Sequence, residues 1–399
     1  MNKKNLLLGK QPSKIRELFE YGKKLKITVG EKNVFDFSIG NPSLHAPQFV
    51  DETLTRLISE NETNKLHSYT SNAGDLGVRS KIAENLNKEF GVNFRGEHIF
   101  MTCGAAASLA ICFNAILEEG DEVLVTAPYF PEYRIYVEEC AKGKLVLVNP
   151  NTKDFTPDLE DLKSKINEKT VAVLIDSPNN PTGACYSEEV IKQIAEILKE
   201  KEKEYNKVIY FVSDEPYREL MFEDEPYPFI SKYYKDSIIC YSYSKCYSIP
   251  GDRIGYVAVN EECQDVEDLF YAISGASREL GFVCAPSIFQ FLIGEVDGMK
   301  ADLSPYKVNR DIFYNGLTKI GYEVIYPKGA FYLFMKALEE DANAFADKAK
   351  ELGLIMVPSD SFGYKGYVRL AYCVSQDTIE RALSKFETLF QQYKAIRGN

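Results

Sequence analysis

Lys245 is the residue whose type and position best suit covalent chemistry. It follows the apolar run SIICYSY (237–243), which has the composition of a buried strand, and Ser244 directly precedes it. A single lysine is usually solvated, but a lysine beside a buried strand end loses solvation, and neighbouring cations lower its pKa further. Such an amine is a nucleophile that can form a Schiff base with a carbonyl compound.

Polar side chains also follow two other apolar runs. VAVLID leads into SPNNPTG, which contains Asn180, and KVIYFVSD ends in Asp214, close before Tyr217. Taken singly, an Asn-Pro segment is usually a turn, and a carboxylate at a strand end usually caps the next helix. Ligands of open parallel sheets bind at the carboxyl ends of the strands, so we expect these side chains to lie near Lys245.

A fourth segment has the features of an anion site. MTCGAAASLAICFNAIL (101–117) combines a strand end, a glycine and a helix start, where the free N–H groups of Ala105 and Ala106 can bind an anion. Ser242, Ser244 and Arg253 lie on either side of Lys245 in the sequence and are side chains that bind phosphate well. Alone, the segment is an ordinary glycine turn.

Together the four segments match the groups of one cofactor. Lys245 can form a Schiff base with an aldehyde, and Asp214 can pair with a protonated ring nitrogen. Asn180 and Tyr217 can hydrogen-bond a ring oxygen, and the anion site can hold a phosphate. A cofactor that carries all four groups is pyridoxal phosphate, which the sequence therefore predicts.

Short β-branched runs alternate with amphipathic segments through the middle of the chain. The runs are typical of strands buried on both faces, and 187–205 reads as a helix with Ser187 as its N-cap. This alternation predicts an α/β fold with a mainly parallel, doubly wound sheet, in a large cofactor-binding domain at residues 46–285.

The two ends of the chain have a different pattern. GYEVIYP, GAFYLFMK and GYVRLAY look like strands, and QDTIERALSKFETLFQQYK looks like a helix. We predict a second, smaller α+β domain formed by both termini, residues 1–45 and 286–399.

Composition excludes several classes of function. The net charge of −12 repels nucleic acid, and three scattered histidines favour neither a zinc site nor a histidine-based triad. No signal peptide and no apolar run long enough to span a membrane is found, and the nine cysteines contain no C-x-x-C pair. We expect a cytoplasmic protein that binds neither nucleic acid nor membrane and holds no metal.

The sequence resembles the class I/II (fold-type I) pyridoxal-phosphate-dependent aminotransferases and is similar to aspartate aminotransferase. The blocks that carry the resemblance span nearly the whole chain, and they are FSIGNPS, YTSNAGDLGVR, MTCGAAASL, APYFPEY, SPNNPTG, SDEPY, SYSKCYSIPGDRIGY and VRLAY. Each block alone is weak, but the ordered set is specific.

The resemblance adds roles to residues that chemistry alone did not single out. It implies that Arg369 grips the substrate α-carboxylate, that Gly40 belongs to a loop closing over it, and that Phe130 stacks on the cofactor ring. Tyr69 would reach the phosphate bound by a partner subunit, in a homodimer with composite sites. Where the family usually has a lysine in the phosphate loop, this chain has Ala106, which offers only its backbone.

The activity implied is transfer of an amino group between an L-amino acid and a 2-oxo acid, in a ping-pong cycle with Lys245 as Schiff-base former and proton carrier. The donor is expected to be aspartate-type or broad, with 2-oxoglutarate as acceptor. Arg278 lies near the position where aspartate-specific relatives carry an arginine for the side-chain carboxylate. A solvated helix arginine is an equally good interpretation of it.

Two other functions are open at this stage. A pyridoxal-phosphate-dependent β-lyase acting on cysteine-like substrates would share Lys245, Asp214 and Arg369, because one fold supports several reactions. An aminotransferase-like module of a transcription regulator is less favoured, because it would need an added basic DNA-binding segment.

Overall fold

The computed structural model describes residues 1–10 and 13–397. The strands are β1 (Phe35–Asp36), β2 (Ile99–Thr102), β3 (Glu122–Thr126), β4 (Lys144–Val148), β5 (Thr170–Asp176), β6 (Tyr210–Asp214), β7 (Ser237–Ser242), β8 (Gly255–Val259), β9 (Val324–Ile325), β10 (Tyr332–Lys336), β11 (Leu354–Ile355), β12 (Val357–Pro358) and β13 (Tyr367–Ala371).

Helices surround and connect these strands. They are α1 (Lys3–Lys10), α2 (Lys14–Val29), α3 (Gln48–Glu60), α4 (Thr63–His67), α5 (Leu76–Phe90), α6 (Ala105–Ile116), α7 (Glu132–Arg134), α8 (Leu159–Lys165), α9 (Glu188–Tyr205), α10 (Val266–Glu279), α11 (Ser287–Val296), α12 (Ser304–Ile320), α13 (Ala342–Lys350) and α14 (Gln376–Arg397).

The main sheet has seven strands in the order β2-β8-β7-β6-β5-β3-β4. Strands β4, β3, β5, β6 and β7 are parallel, and β8 runs antiparallel to both of its neighbours. Successive residues such as Val123 and Leu124 enter different hydrophobic clusters, so both faces of the sheet are covered. The predicted α/β fold with a mainly parallel, doubly wound sheet is confirmed.

Local sequence explains how helix α9 begins and which face it buries. The Ser187 hydroxyl accepts a hydrogen bond from the Val190 backbone N–H at the start of α9, as the sequence predicts. The residues that α9 buries are Ile191, Ile194, Ala195 and Leu198. Val190 and Ile197 are partly buried against the same core.

Smaller sheets come from the ends of the chain. Strands β12-β13-β10-β9 form an antiparallel sheet, and β1 pairs in parallel with β11. Helix α11 lies beyond the predicted boundary at residue 285. Its Leu292 and Ile293 nevertheless belong, with Ile82, to the hydrophobic cluster that covers one face of the seven-stranded sheet. The division into two domains at these residues stays a prediction.

Within the described ranges, no helix has both the length and the apolar character that crossing a membrane requires.

Candidate functional site

A cavity of about 510 Å³ opens where three neighbouring parallel strands end. Strand β5 ends at Asp176, β6 at Asp214 and β7 at Ser242, and all three residues line the cavity. Twelve of the fourteen site residues predicted from the sequence line it, namely Gly40, Ala105, Ala106, Phe130, Asn180, Asp214, Tyr217, Ser242, Ser244, Lys245, Arg253 and Arg369.

Lys245 follows β7 and reaches into this cavity. Its Nζ atom donates a hydrogen bond to the Gly40 carbonyl oxygen at 2.8 Å. Burial lowers the pKa of Lys245 to about 8, the nearby Cys373 thiol opposes this shift, and Arg253 and Arg369 add to it. An appreciable fraction of the amine is therefore unprotonated near neutral pH.

Asp214 is a buried carboxylate with one oxygen free. Its Oδ2 atom accepts a hydrogen bond from the Tyr133 hydroxyl at 2.6 Å, and its Oδ1 atom is buried with no hydrogen-bond partner. Burial raises the pKa of Asp214 above its ordinary value; the Tyr133 bond opposes the shift and Glu215 adds to it. Because a buried unpartnered oxygen is costly, this atom suits a cationic or hydrogen-bonding partner in the cavity.

Asp176 lies beside Asp214 and was not singled out from the sequence. It is also buried, and the two residues are register partners in the parallel pair β5 and β6. Its Oδ2 atom accepts a hydrogen bond from the Asn180 backbone N–H at 2.9 Å, whereas Oδ1 has no partner. The available signal was its place as the last residue of VAVLID, equivalent to that of Asp214 in its own strand.

The predicted anion site has the expected backbone form. Gly104 has φ +85°, and α6 begins directly after it at Ala105. A Cβ atom at Gly104 would come within 2.9 Å of Arg253 Nη2, so only glycine permits this approach. The Ser242 and Ser244 hydroxyls are 2.8 Å apart, and together these groups form one cluster of anion-binding donors.

Arg369 enters the cavity from β13 and is almost completely buried. Its Nη1 atom donates to Asn180 Oδ1 at 2.9 Å, its Nη2 atom donates to the Ser38 carbonyl oxygen, and its Nε atom has no partner. The guanidinium lies over the Tyr332 ring, 4.5 Å from its centroid. A buried guanidinium with spare N–H groups suits a carboxylate.

Aromatic side chains shape the rest of the cavity. The Tyr217 hydroxyl is 2.8 Å from the Tyr332 hydroxyl, and a Cβ atom at Gly40 would overlap that same Tyr332 hydroxyl. Phe130 is partly buried, with its ring edge-on to Tyr133 at a centroid distance of 5.6 Å. Tyr133 and Tyr332 are therefore structural parts of the site that the sequence did not reveal.

Two predicted residues lie outside the cavity. The Tyr69 side chain is 88% exposed, and Arg278 is exposed in the last turn of α10. Both predicted roles involve a second subunit, so their positions in one chain do not test them.

Arg16 is a further residue of the cavity that sequence analysis missed. It lies in the first turn of α2 and lines the cavity from the side of the N-terminus. Among the described residues its guanidinium makes neither a hydrogen bond nor an ion pair. No local motif marks it, because it enters the site through the packing of α2 against the rest of the fold.

Known proteins share this sequence pattern and this fold. The family model for aminotransferase class I and II matches residues 32–386. A probable aspartate aminotransferase of Methanocaldococcus jannaschii is 32% identical over 389 residues, which cover 96% of this chain and 98% of that protein. The aspartate aminotransferase of Pyrococcus horikoshii is 32% identical, with 97% of this chain and 95% of that protein covered.

Solved structures of other aminotransferases have the same fold. An amino transferase of Eubacterium rectale superposes with a TM-score of 0.96 at 48% identity, covering 98% of this chain and 99% of that one. A double mutant of Thermus thermophilus aspartate aminotransferase superposes with a TM-score of 0.85 at 27% identity, with the same coverage. The chain belongs to the class I and II aminotransferase family, and its activity is that of an aminotransferase.

Proposed function

We propose that this enzyme binds pyridoxal phosphate through Lys245 and transfers the amino group of a dicarboxylic L-amino acid to a 2-oxo acid such as 2-oxoglutarate. One observation carries the proposal. An amine with a lowered pKa, a buried carboxylate with a free oxygen and a buried guanidinium with spare N–H groups line the same cavity.

The residues present fit the cofactor group by group. The free Oδ1 atom of Asp214 suits a protonated ring nitrogen, and Asn180 with Tyr217 suits the ring oxygen. Phe130 offers an apolar face for the ring. The backbone N–H groups of Ala105 and Ala106, with Ser242, Ser244 and Arg253, form the donor cluster for the phosphate. When bound, the cofactor supplies an aldehyde carbon and an electron-withdrawing ring.

The chain's own residues would then handle the proton and the orientation. Lys245 Nζ, with a pKa of about 8, can accept a proton from the substrate Cα and return it without a large energetic penalty. Arg369 would hold the α-carboxylate with two parallel N–H groups, which fixes the direction of the Cα–H bond relative to Lys245. The Gly40 carbonyl positions Nζ before the reaction.

The preference for a dicarboxylic donor has two supports. Several relatives of this chain are named aspartate aminotransferases. In addition, Arg16 is a cation without a partner among the described residues, and it lines the cavity that holds Arg369. We propose that Arg16 contributes to binding the side-chain carboxylate, a role that the sequence alone suggested for Arg278.

A homodimer with composite sites remains part of the proposal. Tyr69 is a large aromatic side chain that is 88% exposed, and Arg278 is exposed as well, as a contribution to a second subunit would require. The cytoplasmic location stays a prediction from the sequence.

A panel of donors with 2-oxoglutarate as acceptor tests this function. We expect aspartate to be preferred over alanine and phenylalanine, and Arg16→Ala to lower kcat/KM for aspartate by about tenfold or more while alanine is little affected, since one charge-assisted bond is lost. Arg278→Ala is measured in parallel, and Arg381→Ala serves as a control because Arg381 lies on α14, pairs with Asp377 and does not line the cavity.

The products decide between transfer and elimination. A new amino acid formed from the 2-oxo acid supports the proposal. Pyruvate, ammonia and a sulfide or thiol released from a cysteine-like substrate, with no amino acid formed, would instead support the β-lyase. If Arg278→Ala lowers kcat/KM for aspartate and Arg16→Ala does not, Arg16 has no part in binding the side-chain carboxylate.

A further inference from the structure

Two buried carboxylates meet at the ends of β5 and β6. Asp176 and Asp214 are register partners on adjacent parallel strands, so their side chains leave the sheet on the same side, with backbones about 4.8 Å apart. Each has one oxygen with no hydrogen-bond partner, and no lysine or arginine of the described residues forms an ion pair with either. Two adjacent carboxylates in such surroundings cannot both be ionised at low cost.

The hydrogen bonds distinguish the two groups. Asp214 Oδ2 receives the Tyr133 hydroxyl at 2.6 Å, a length typical of an O–H group bonded to an ionised carboxylate. Asp176 Oδ2 receives a backbone N–H at 2.9 Å and a side-chain amide of Asn179 at 3.5 Å, which are ordinary or weak bonds. The negative charge is thus better stabilised on Asp214, and the proton on Asp176.

We propose that Asp176 is a positioning residue that keeps a proton at neutral and mildly alkaline pH, so that the pair presents a single negative charge, on Asp214, to the cofactor ring. The proposal rests on the proposed function only for the identity of that ring. Burial and the charge of Asp214 both raise the pKa of Asp176, in the direction that the geometry requires.

Tyr133 connects the two groups. Its hydroxyl donates to Asp214, and it also stabilises the ionised form of Asp176, which lowers the pKa of that carboxyl. The Tyr133 side chain is completely buried, and burial raises its own pKa far above the ordinary value. Tyr133 therefore stays protonated and acts only as a donor.

Infrared difference spectroscopy of the full-length apoprotein detects the proton directly. A protonated carboxyl group has a carbonyl stretch that an ionised carboxylate lacks. At pH 8, the wild-type minus Asp176→Asn spectrum should contain this band, and the band should disappear as the pH is raised further. Asp297→Asn is the matched control. Asp297 is another carboxyl whose pKa burial raises, but Tyr243 and Asn85 donate to it outside this cavity.

Replacement of the two aspartates should change the affinity for the cofactor to different degrees. Asparagine at position 176 resembles a protonated carboxyl, so Asp176→Asn should bind pyridoxal phosphate within about threefold of the wild-type affinity at pH 8. Asp214→Asn removes the charge that faces the ring, and its affinity should fall by tenfold or more. Asp297→Asn should bind like wild type.

Two results would overturn the proposal. One is the absence of the carbonyl band from the wild-type minus Asp176→Asn spectrum. The other is a loss of affinity in Asp176→Asn as large as that in Asp214→Asn, which would mean that Asp176 supplies charge. If Asp176→Asn does not fold, wild-type protein labelled with ¹³C at its aspartate carboxyls must still show one carboxyl that titrates above pH 8. These spectra test the pair even if the protein binds no pyridoxal phosphate.

Discussion

Replacing Arg369 by lysine keeps the charge but removes the planar fork, and the structure allows the effect to be estimated. A guanidinium has five N–H groups, and two of its nitrogens already donate to Asn180 Oδ1 and to the Ser38 carbonyl. The remaining N–H groups, including the one on Nε, are enough for a bidentate carboxylate. An ammonium has three N–H groups, so one remains for the substrate if the bonds to Asn180 and Ser38 are kept.

The variant therefore loses one of two charge-assisted hydrogen bonds to the α-carboxylate. Each such bond contributes about 1.5–3 kcal/mol, which corresponds to a decrease of about 10- to 100-fold in kcat/KM. Since every amino acid carries the α-carboxylate, aspartate, alanine and phenylalanine should all be affected to a similar degree. Affinity for pyridoxal phosphate should hardly change, because the phosphate donors and Lys245 are untouched.

Steady-state kinetics with these three donors measure the effect, and Arg310→Lys is the control. Arg310 is equally buried but pairs with Glu223 and Asp311 away from the cavity, so its variant should lower the melting temperature and leave kcat/KM unchanged. An Arg369→Lys enzyme impaired for aspartate alone would refute the assignment of Arg369 to the α-carboxylate, as would one with unchanged kinetics.

Two further predictions concern the position and the charge of Lys245. In Gly40→Ala the new Cβ atom overlaps the Tyr332 hydroxyl and displaces the carbonyl that holds Lys245 Nζ, so kcat/KM should fall by about tenfold or more; wild-type kinetics in a folded variant would contradict this. Because the pKa of Lys245 is lowered to about 8, the rate of cofactor capture by the apoprotein should rise about tenfold per pH unit below 8 and then level off. Stopped-flow absorbance measures that rate, and a rise that continues to pH 10 would show an ordinary lysine.

The elements and most of the site could be predicted from sequence because each depends on a local pattern. The run that becomes β7 is apolar throughout and is followed at once by Lys245, and a glycine before an alanine-rich helix predicts the start of α6. Strand ends in a parallel sheet converge, so Asp214 and Lys245 could be placed together without coordinates.

The parts that were missed depend on packing between distant segments. The Tyr133 hydroxyl bonds to Asp214, which is 81 positions away in the sequence. Arg16 lines the cavity only because α2 packs against β11 and β12. Asp176 has the same local signal as Asp214, because each is the last residue of an apolar strand.

We expect Lys245 to be the residue that forms the Schiff base with pyridoxal phosphate. Borohydride reduction of the holoenzyme fixes this bond, and peptide mass spectrometry then locates the modified residue. We expect the pyridoxyl group on Lys245, and we expect Lys245→Ala to lose both the modification and transamination. A pyridoxyl group on a different lysine, or full transamination by Lys245→Ala, would show that Lys245 does not have this role.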